Sequence, residues 1–243
     1  MLKLEDINND IYFEFRRSQM EAMKTERLGQ IHVSDIIKPC MRNVVYNKVL
    51  PSKSSSTEDM KSLYFGQIVH SNSQIAKDEH HEKFLAYDYV RDEPLTREQS
   101  LKIPLDDPRQ LDIIYGSIDD LLKIGGKWVI ADKKTTGSID YFSRATSKVS
   151  ESHRDQINRY RVLLKKCYDI DAEFGSVIYI SNTIDKEKRA KPVVISFKLR
   201  PIEETSLTEE ILPERTKNYL CDGFCPFASK CFEDNREKWT DPE

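Results

Sequence analysis

Apolar and polar residues alternate most regularly in the middle of the chain, in DIIYGSIDDLLKI (112–124) and KWVIADKKT (127–135), which flank Gly125-Gly126. Successive side chains of a strand point to opposite faces, and a Gly-Gly pair supplies the positive φ of a tight turn, so these runs predict a β-hairpin. FLAYDYV (84–90), QSLKIPL (99–105), GSVIYIS (175–181) and PVVISFKL (192–199) have the composition of further strands. Over 152–168 the period becomes helical, with Gln156, Tyr160, Leu163 and Cys167 recurring at spacings of four, three and four. Other helices are predicted over 5–26, around Ile11, Phe13, Phe15 and Met20, and after Ser34 and Asp35 as caps, with Ile36, Ile37, Cys40, Val44 and Val45 along one side. Two more are expected from about Glu58 to Glu82 and around Leu207 to Leu220, and the Ser-rich PSKSSSTEDM (51–60) reads as a loop. There is no internal repeat. Helices, a strand hairpin, a helix and further strands in that order predict an α/β fold, a mixed sheet with helices on its faces.

Composition bounds this picture. A chain of 243 residues accommodates one α/β domain. It divides into an N-terminal helical part over 1–60 carrying Cys40, a core over 61–200, and a C-terminal helix with a cysteine-rich segment over 201–243. Charged residues make up 33% and no apolar run approaches the roughly 20 residues of a membrane span, so a soluble protein with no membrane partner is expected. MLKLEDINND carries acids where a secretory signal has a basic stretch, which points to the cytoplasm. The formal net charge of −3 excludes binding of nucleic acid by bulk electrostatics, so affinity for DNA requires a local patch. Lys133, Lys134, Arg144, Lys148, Arg154, Arg159, Arg161, Lys165 and Lys166 outnumber the acids of their stretch. Tyr141, Phe142 and Tyr160, interleaved among them, are candidates for stacking on unpaired bases. No zinc finger or helix-turn-helix motif stands out.

The hairpin carries the candidate chemistry. Hydrolysing a phosphodiester requires an activated water and neutralisation of charge on the phosphate and leaving oxygens, and a divalent metal supplies these. Mg²⁺ and Mn²⁺ take hard oxygen ligands, so Asp119 and Asp132 on adjacent strands are candidate metal ligands, with Asp120 the neighbouring alternative to Asp119. Asp132 and Lys134, two apart, project from one strand face, where Lys134 would orient the attacking water. Lys133 points the other way and offers its backbone carbonyl to the metal. A D-x-K triplet alone is more often a solvated strand face, and a lone His70 on a helix more often a core residue.

The ordered set FGQIVH, GSID, DKK and QINRY resembles the motif series of RecB-type nucleases in the PD-(D/E)xK superfamily, over roughly residues 34 to 232. The resemblance implies a restriction-endonuclease-like mixed sheet, His70 as a metal ligand beside the two acids, and Gln156 and Tyr160 lining the active site to place the DNA backbone. Ile118 stands where many members have Pro, and Asp132 where Glu is commoner.

Cys221, Cys225 and Cys231 crowd CDGFCPFASKC, a pattern that in an intracellular protein reads as metal or cluster ligation, and Cys40 is the candidate fourth ligand. Zinc and an iron-sulfur cluster both fit four thiolates. The alternative is that Cys40 is a core residue and the trio binds zinc or nothing. Cys167, continuing the face of Leu163, reads as core packing. One upstream cysteine and three near the C-terminus, enclosing nuclease motifs, look like the iron-sulfur nucleases, especially the CRISPR-associated Cas-four exonucleases and the nuclease domain of AddB-type recombination proteins. That resemblance implies a [4Fe-4S] cluster, an exonuclease acting on single-stranded ends, and a role in CRISPR spacer acquisition beside an integrase complex. The spacing C-x3-C-x5-C is one residue longer at its first interval than the commonest pattern. Rival readings are a repair, recombination or mobile-element nuclease, a sequence-specific restriction enzyme, and a non-catalytic iron-sulfur module that binds DNA or a partner.

Overall fold

The computed structural model describes residues 30–38, 40, 43–44, 46, 66, 69, 73–76, 78–104, 107–144, 148–182, 191–205 and 207. The helices expected over 5–26 and 207–220 lie outside the described residues, apart from Leu207 itself, as do the 51–60 loop and the three C-terminal cysteines.

The sheet is built around the hairpin. Strand β4 (Ile113–Ile124) turns through Gly125 and Gly126, at φ 57° and 80°, into β5 (Lys127–Thr136). These are left-handed values that glycine adopts without the Cβ penalty. Before them come β1 (Ile31–His32), β2 (His81–Asp88) and β3 (Glu93–Pro94), and after them β6 (Ala172–Ser181) and β7 (Val193–Lys198). The seven strands form one mixed sheet in the order β3-β2-β4-β5-β6-β7, with β1 added beside β4. β1 runs parallel to β4 and β6 parallel to β5, and the other pairs are antiparallel.

Helices α1 (Val33–Ile36), α2 (Arg97–Leu101) and α3 (Ile139–Phe142) are short, and α4 (Glu151–Tyr168) is the long one. α4 crosses between the parallel strands β5 and β6. It buries Ile157, Tyr160, Leu163 and Leu164 against Ile114, Ile118, Leu121, Ile130, Val177 and Tyr179 of the sheet. Cys167 packs at the edge of this core as expected, donating to the carbonyl of Ala86 at 3.3 Å. A smaller core on the other side joins Ala86, Leu95, Ile103, Ile113 and Tyr115. None of the described helices is long and apolar enough to cross a membrane.

Three local expectations are corrected. QSLKIPL begins within a helix rather than forming a strand, because Thr96 and Gln99 make a reciprocal capping box. Gln99 N–H donates to Thr96 Oγ1 at 3.2 Å and Thr96 N–H to Gln99 Oε1 at 2.7 Å. The helix expected to run to Glu82 has ended by Ser73, and His81 already opens β2, since the amides of Ile75 and Ala76 are drawn into tertiary hydrogen bonds instead. α1 starts ahead of Ser34, with His32 at its cap and the His32 N–H donating to Asp35 Oδ2 at 3.1 Å.

Candidate active site

The hairpin ladder ends at Asp120↔Ala131, whereas farther back the same edge of β4 is taken by β1, at Ile114 and Tyr115. Between these pairings β4 and β5 part, and Asp119 stands at the mouth of the fork. Its Oδ2 accepts the Lys133 N–H at 2.6 Å, so a side chain supplies the acceptor where the ladder stops.

Strand alternation sorts the charged residues of the hairpin into two sets. Asp132 and Lys134 lie in register with Val177 and Tyr179 of β6, on the face that α4 covers. The Lys134 ammonium sits 2.9 Å from Asp132 Oδ2, the carboxylate side chain 4% exposed and the lysine 24%. The acid is therefore interior while the cation remains reachable. Asp119 reaches this pair through the backbone, its Oδ2 holding the N–H of Lys133, the residue between Asp132 and Lys134.

Asp120 and Lys133 form the opposite set. Their side chains are 0% and 1% exposed, and Lys133 Nζ meets Asp120 Oδ2 at 2.6 Å. Asp120 Oδ1 also accepts the N–H groups of Ile75 and Ala76, at 3.0 and 2.7 Å, and lies 3.1 Å from His81 Nδ1. Burial alone would raise the pKa of this acid. The hydrogen bonds from Ala76, Lys133, Ile75 and His81 outweigh it and hold the carboxyl below its usual value. Asp120 is thus an ionised interior group whose two oxygens are occupied, on the face turned away from Asp132 and Lys134.

Gln156 and Tyr160 come together on α4, the Gln156 amide donating to the Tyr160 hydroxyl at 3.1 Å. Both are buried, at 5% and 6% exposure, so neither offers the open surface that stacking or backbone contact with DNA requires. The Tyr160 ring instead lies against Gly116, where a Cβ would come within 2.9 Å of Cε1. The glycine of GSID and the tyrosine of QINRY are therefore two halves of one packing contact, which seats α4 close to the strand carrying Asp119. From FGQIVH, Gly66 and Val69 are helical, and a Cβ on Gly66 would meet Thr135 Oγ1 at 3.8 Å, which sets this helix beside the end of β5. His70 lies outside the described residues.

Among the described residues no three His, Cys, Asp or Glu side chains converge as a metal cage. Asp119 and Asp132 fit part of the hard oxygen donor set of Mg²⁺ or Mn²⁺, with the Lys133 carbonyl as a backbone donor, and His70 is the further ligand that the motif resemblance implies. Of the four cysteines, Cys40 is described. It is a half-buried free thiol whose carbonyl accepts the Val44 N–H at 3.3 Å.

Two residues beside the site, Tyr179 and His153, escaped the sequence reading. Tyr179, fully buried and in register with Lys134, has its hydroxyl 3.4 Å from the Ser150 N–H and 3.0 Å from His153 Nδ1. Its ring stacks on Phe142 at 3.7 Å and 10°. Burial first and the Lys134 charge second push the His153 pKa down to about 4, so its imidazole is neutral at ordinary pH. Burial raises the Tyr179 phenol, which keeps its proton, so the contact between its hydroxyl and His153 Nδ1 joins two neutral groups. His153 was legible in principle, since it shares a helical face with Gln156 and Tyr160. Tyr179 depends on the parallel β5–β6 register, which no local pattern encodes.

The expected basic patch is largely neutralised. Lys133 is paired in the interior, Arg159 binds Asp155 at 3.0 Å, and Arg161 binds Asp171 at 2.7 Å and also the Arg200 carbonyl. Lys165 pairs with Asp169, and Lys166 lies 3.5 Å from Asp92 and over the Tyr87 ring. Arg144 and Lys148 are exposed, and Arg154 lies over the Phe197 ring at 4.8 Å. Tyr141 is 58% exposed, whereas Phe142 and Tyr160 are engaged in packing.

Neither a protein-family model nor a curated protein sequence matches the chain. Among solved structures, SSO0001 is similar over 96% of this chain and 88% of its own, at 15% identity and a TM-score of 0.45. An alkaline exonuclease, LHK-Exo from Laribacter hongkongensis, is similar over 74% of this chain and 82% of its own, at 10% identity and a TM-score of 0.37. Its complex with dAMP gives 11% identity, a TM-score of 0.39, and coverage of 74% and 83%. At scores this low the likeness carries none of those proteins' chemistry over to this chain.

Proposed function

We propose that this chain is a divalent-metal-dependent DNA nuclease of the PD-(D/E)xK type, an exonuclease acting on single-stranded ends. The observation that carries the reading is the fork: Lys134 stands 2.9 Å from Asp132, and the Asp119 carboxylate is tied to the peptide between them. Two carboxylates and one ammonium gathered around one peptide, at the point where two strands part, are what hydrolysis of an anionic ester needs. In this reading Asp119, Asp132 and the Lys133 carbonyl hold Mg²⁺ or Mn²⁺ together with His70. The bound ion supplies Lewis-acid neutralisation of the phosphate and lowers the pKa of water. Lys134 orients the attacking water and stabilises its deprotonated form. Gln156 and Tyr160 act from behind, fixing α4 against Gly116.

By the same resemblance, Cys40, Cys221, Cys225 and Cys231 hold a [4Fe-4S] cluster that clasps the two ends of the domain, and the biological setting is DNA trimming beside a CRISPR integrase complex. Anaerobically purified protein would then be brown and contain iron and sulfide. A colourless, zinc-loaded protein rejects the cluster.

The activity is tested by incubating end-labelled single-stranded and duplex DNA with the protein and Mg²⁺ or Mn²⁺. Loss of label from single strands, abolished by chelator, is the expected outcome. Intact DNA under every metal condition rejects the nuclease reading.

A further inference from the structure

We infer that the buried Asp120–Lys133 ion pair is the positioning device of this centre, holding the segment that follows the FGQIVH helix against the back of the acid-bearing hairpin. The inference rests on the nuclease reading of the front face.

Asp120 joins three separate stretches of chain. Its carboxylate receives the amides of Ile75 and Ala76, meets the His81 ring and is in ion contact with the Lys133 ammonium, all within 3.1 Å and with no exposed surface. It also occupies the last rung of two ladders, opposite His81 of β2 and Ala131 of β5. The two ions of the set are immediate neighbours of proposed catalytic groups. Asp120 follows Asp119, Lys133 lies between Asp132 and Lys134, and Ile75 comes a few residues after His70.

Lys133 is gripped from both sides, its ammonium by Asp120 and its N–H by Asp119 Oδ2. Moving Asp120 therefore moves the peptide on which Asp119, Asp132 and the proposed carbonyl ligand converge. Two ions removed from water are costly, and well-packed apolar residues of similar volume stabilise a protein at least as well. What the pair adds is direction, because hydrogen-bonded charges fix a geometry that apolar contacts leave loose. Asp120 touches no substrate and is a positioning residue.

The test compares the full chain with Asp120→Asn, Lys133→Met and the double variant, using calorimetric titration with Mn²⁺, amide hydrogen exchange, and kcat and KM on labelled DNA. Lys133→Met keeps the side-chain volume and provides a folded comparison if Asp120→Asn does not fold. The expected result is Mn²⁺ affinity at least tenfold weaker in each folded single variant. Exchange should accelerate at Ile75, Ala76 and Lys133 together, and kcat should fall while KM for DNA holds. Wild-type Mn²⁺ affinity in a folded single variant overturns the inference, and so does faster exchange at Ile75 and Ala76 with Lys133 still protected. Failure of all three variants to fold assigns the pair to stability alone and overturns it equally. If the wild type binds Mn²⁺, loses it on Asp120→Asn and yet cuts no DNA, the positioning role stands and the nuclease reading falls. A wild type that binds no Mn²⁺ ends both.

Discussion

At the scale of single residues, the environment of Lys134 decides what the centre can do. A cation beside a carboxylate works best where no second positive charge competes for the same oxygens, and His153 meets that condition by remaining neutral. Its imidazole is 3.0 Å from the Tyr179 hydroxyl, with its pKa pushed down to about 4 from a reference of 6.5. Between those two values the unfolded chain binds a proton that the folded chain does not. Stability from this group is therefore complete above about pH 6.5, declines as the pH falls, and levels off below about pH 4. Urea unfolding at a series of pH values should show this decline in the wild type and a shallower one in His153→Gln, and parallel profiles would contradict it. Tyr179→Phe removes the hydroxyl near the Ser150 N–H and His153 Nδ1, and should cost about 1–2 kcal/mol in the same measurement. An unchanged midpoint would show that water replaces the phenol there.

At the scale of elements, the site is a consequence of how α4 seats on β4. Gly116 permits that seating, because a Cβ would lie 2.9 Å from the Tyr160 ring and 3.3 Å from Leu163. Gly116→Ala should therefore destabilise the fold by about 1–3 kcal/mol, the usual range for overpacking, measured by chemical denaturation. A change below about 0.5 kcal/mol would mean that the ring swings aside freely. The same contact explains what the sequence disclosed and what it hid. The hairpin, α4, β6 and β7 were legible because each has a strong period of its own and turn or cap residues at its ends. QSLKIPL was misread because its apolar positions fit a strand, while the Thr96–Gln99 capping box that makes it a helix sits at its edge. The helix expected to reach Glu82 stops early for a tertiary reason, as Asp120 captures the amides of Ile75 and Ala76 from 45 and 44 residues away. That Asp120 rather than Asp119 is tied up in the interior was closed to the sequence, because the amides of Ile75 and Ala76 that hold it come from a distant segment. Gln156 and Tyr160 were rightly grouped on one face, but their burial depends on the glycine opposite.

At the scale of the whole molecule, a net charge of −3 and a basic stretch whose cations are mostly paired leave little field to attract a polyanion. Under the proposed function, recognition of DNA would rest on Lys134 at the fork, with Arg144 and Lys148 exposed close by in sequence. The sheet order places this fork at the centre of the sheet, flanked by β2 on one side and β6 on the other, so its geometry is buttressed along both edges. The proposal that Asp119 and Lys134 act together there on a phosphodiester meets its sharpest test in single-turnover cleavage of end-labelled single-stranded DNA in Mn²⁺. Asp119→Ala and Lys134→Met, each confirmed as folded, should lose at least about a hundredfold in rate, the usual scale for removing a group that activates water. Cleavage by both variants at the wild-type rate would contradict it.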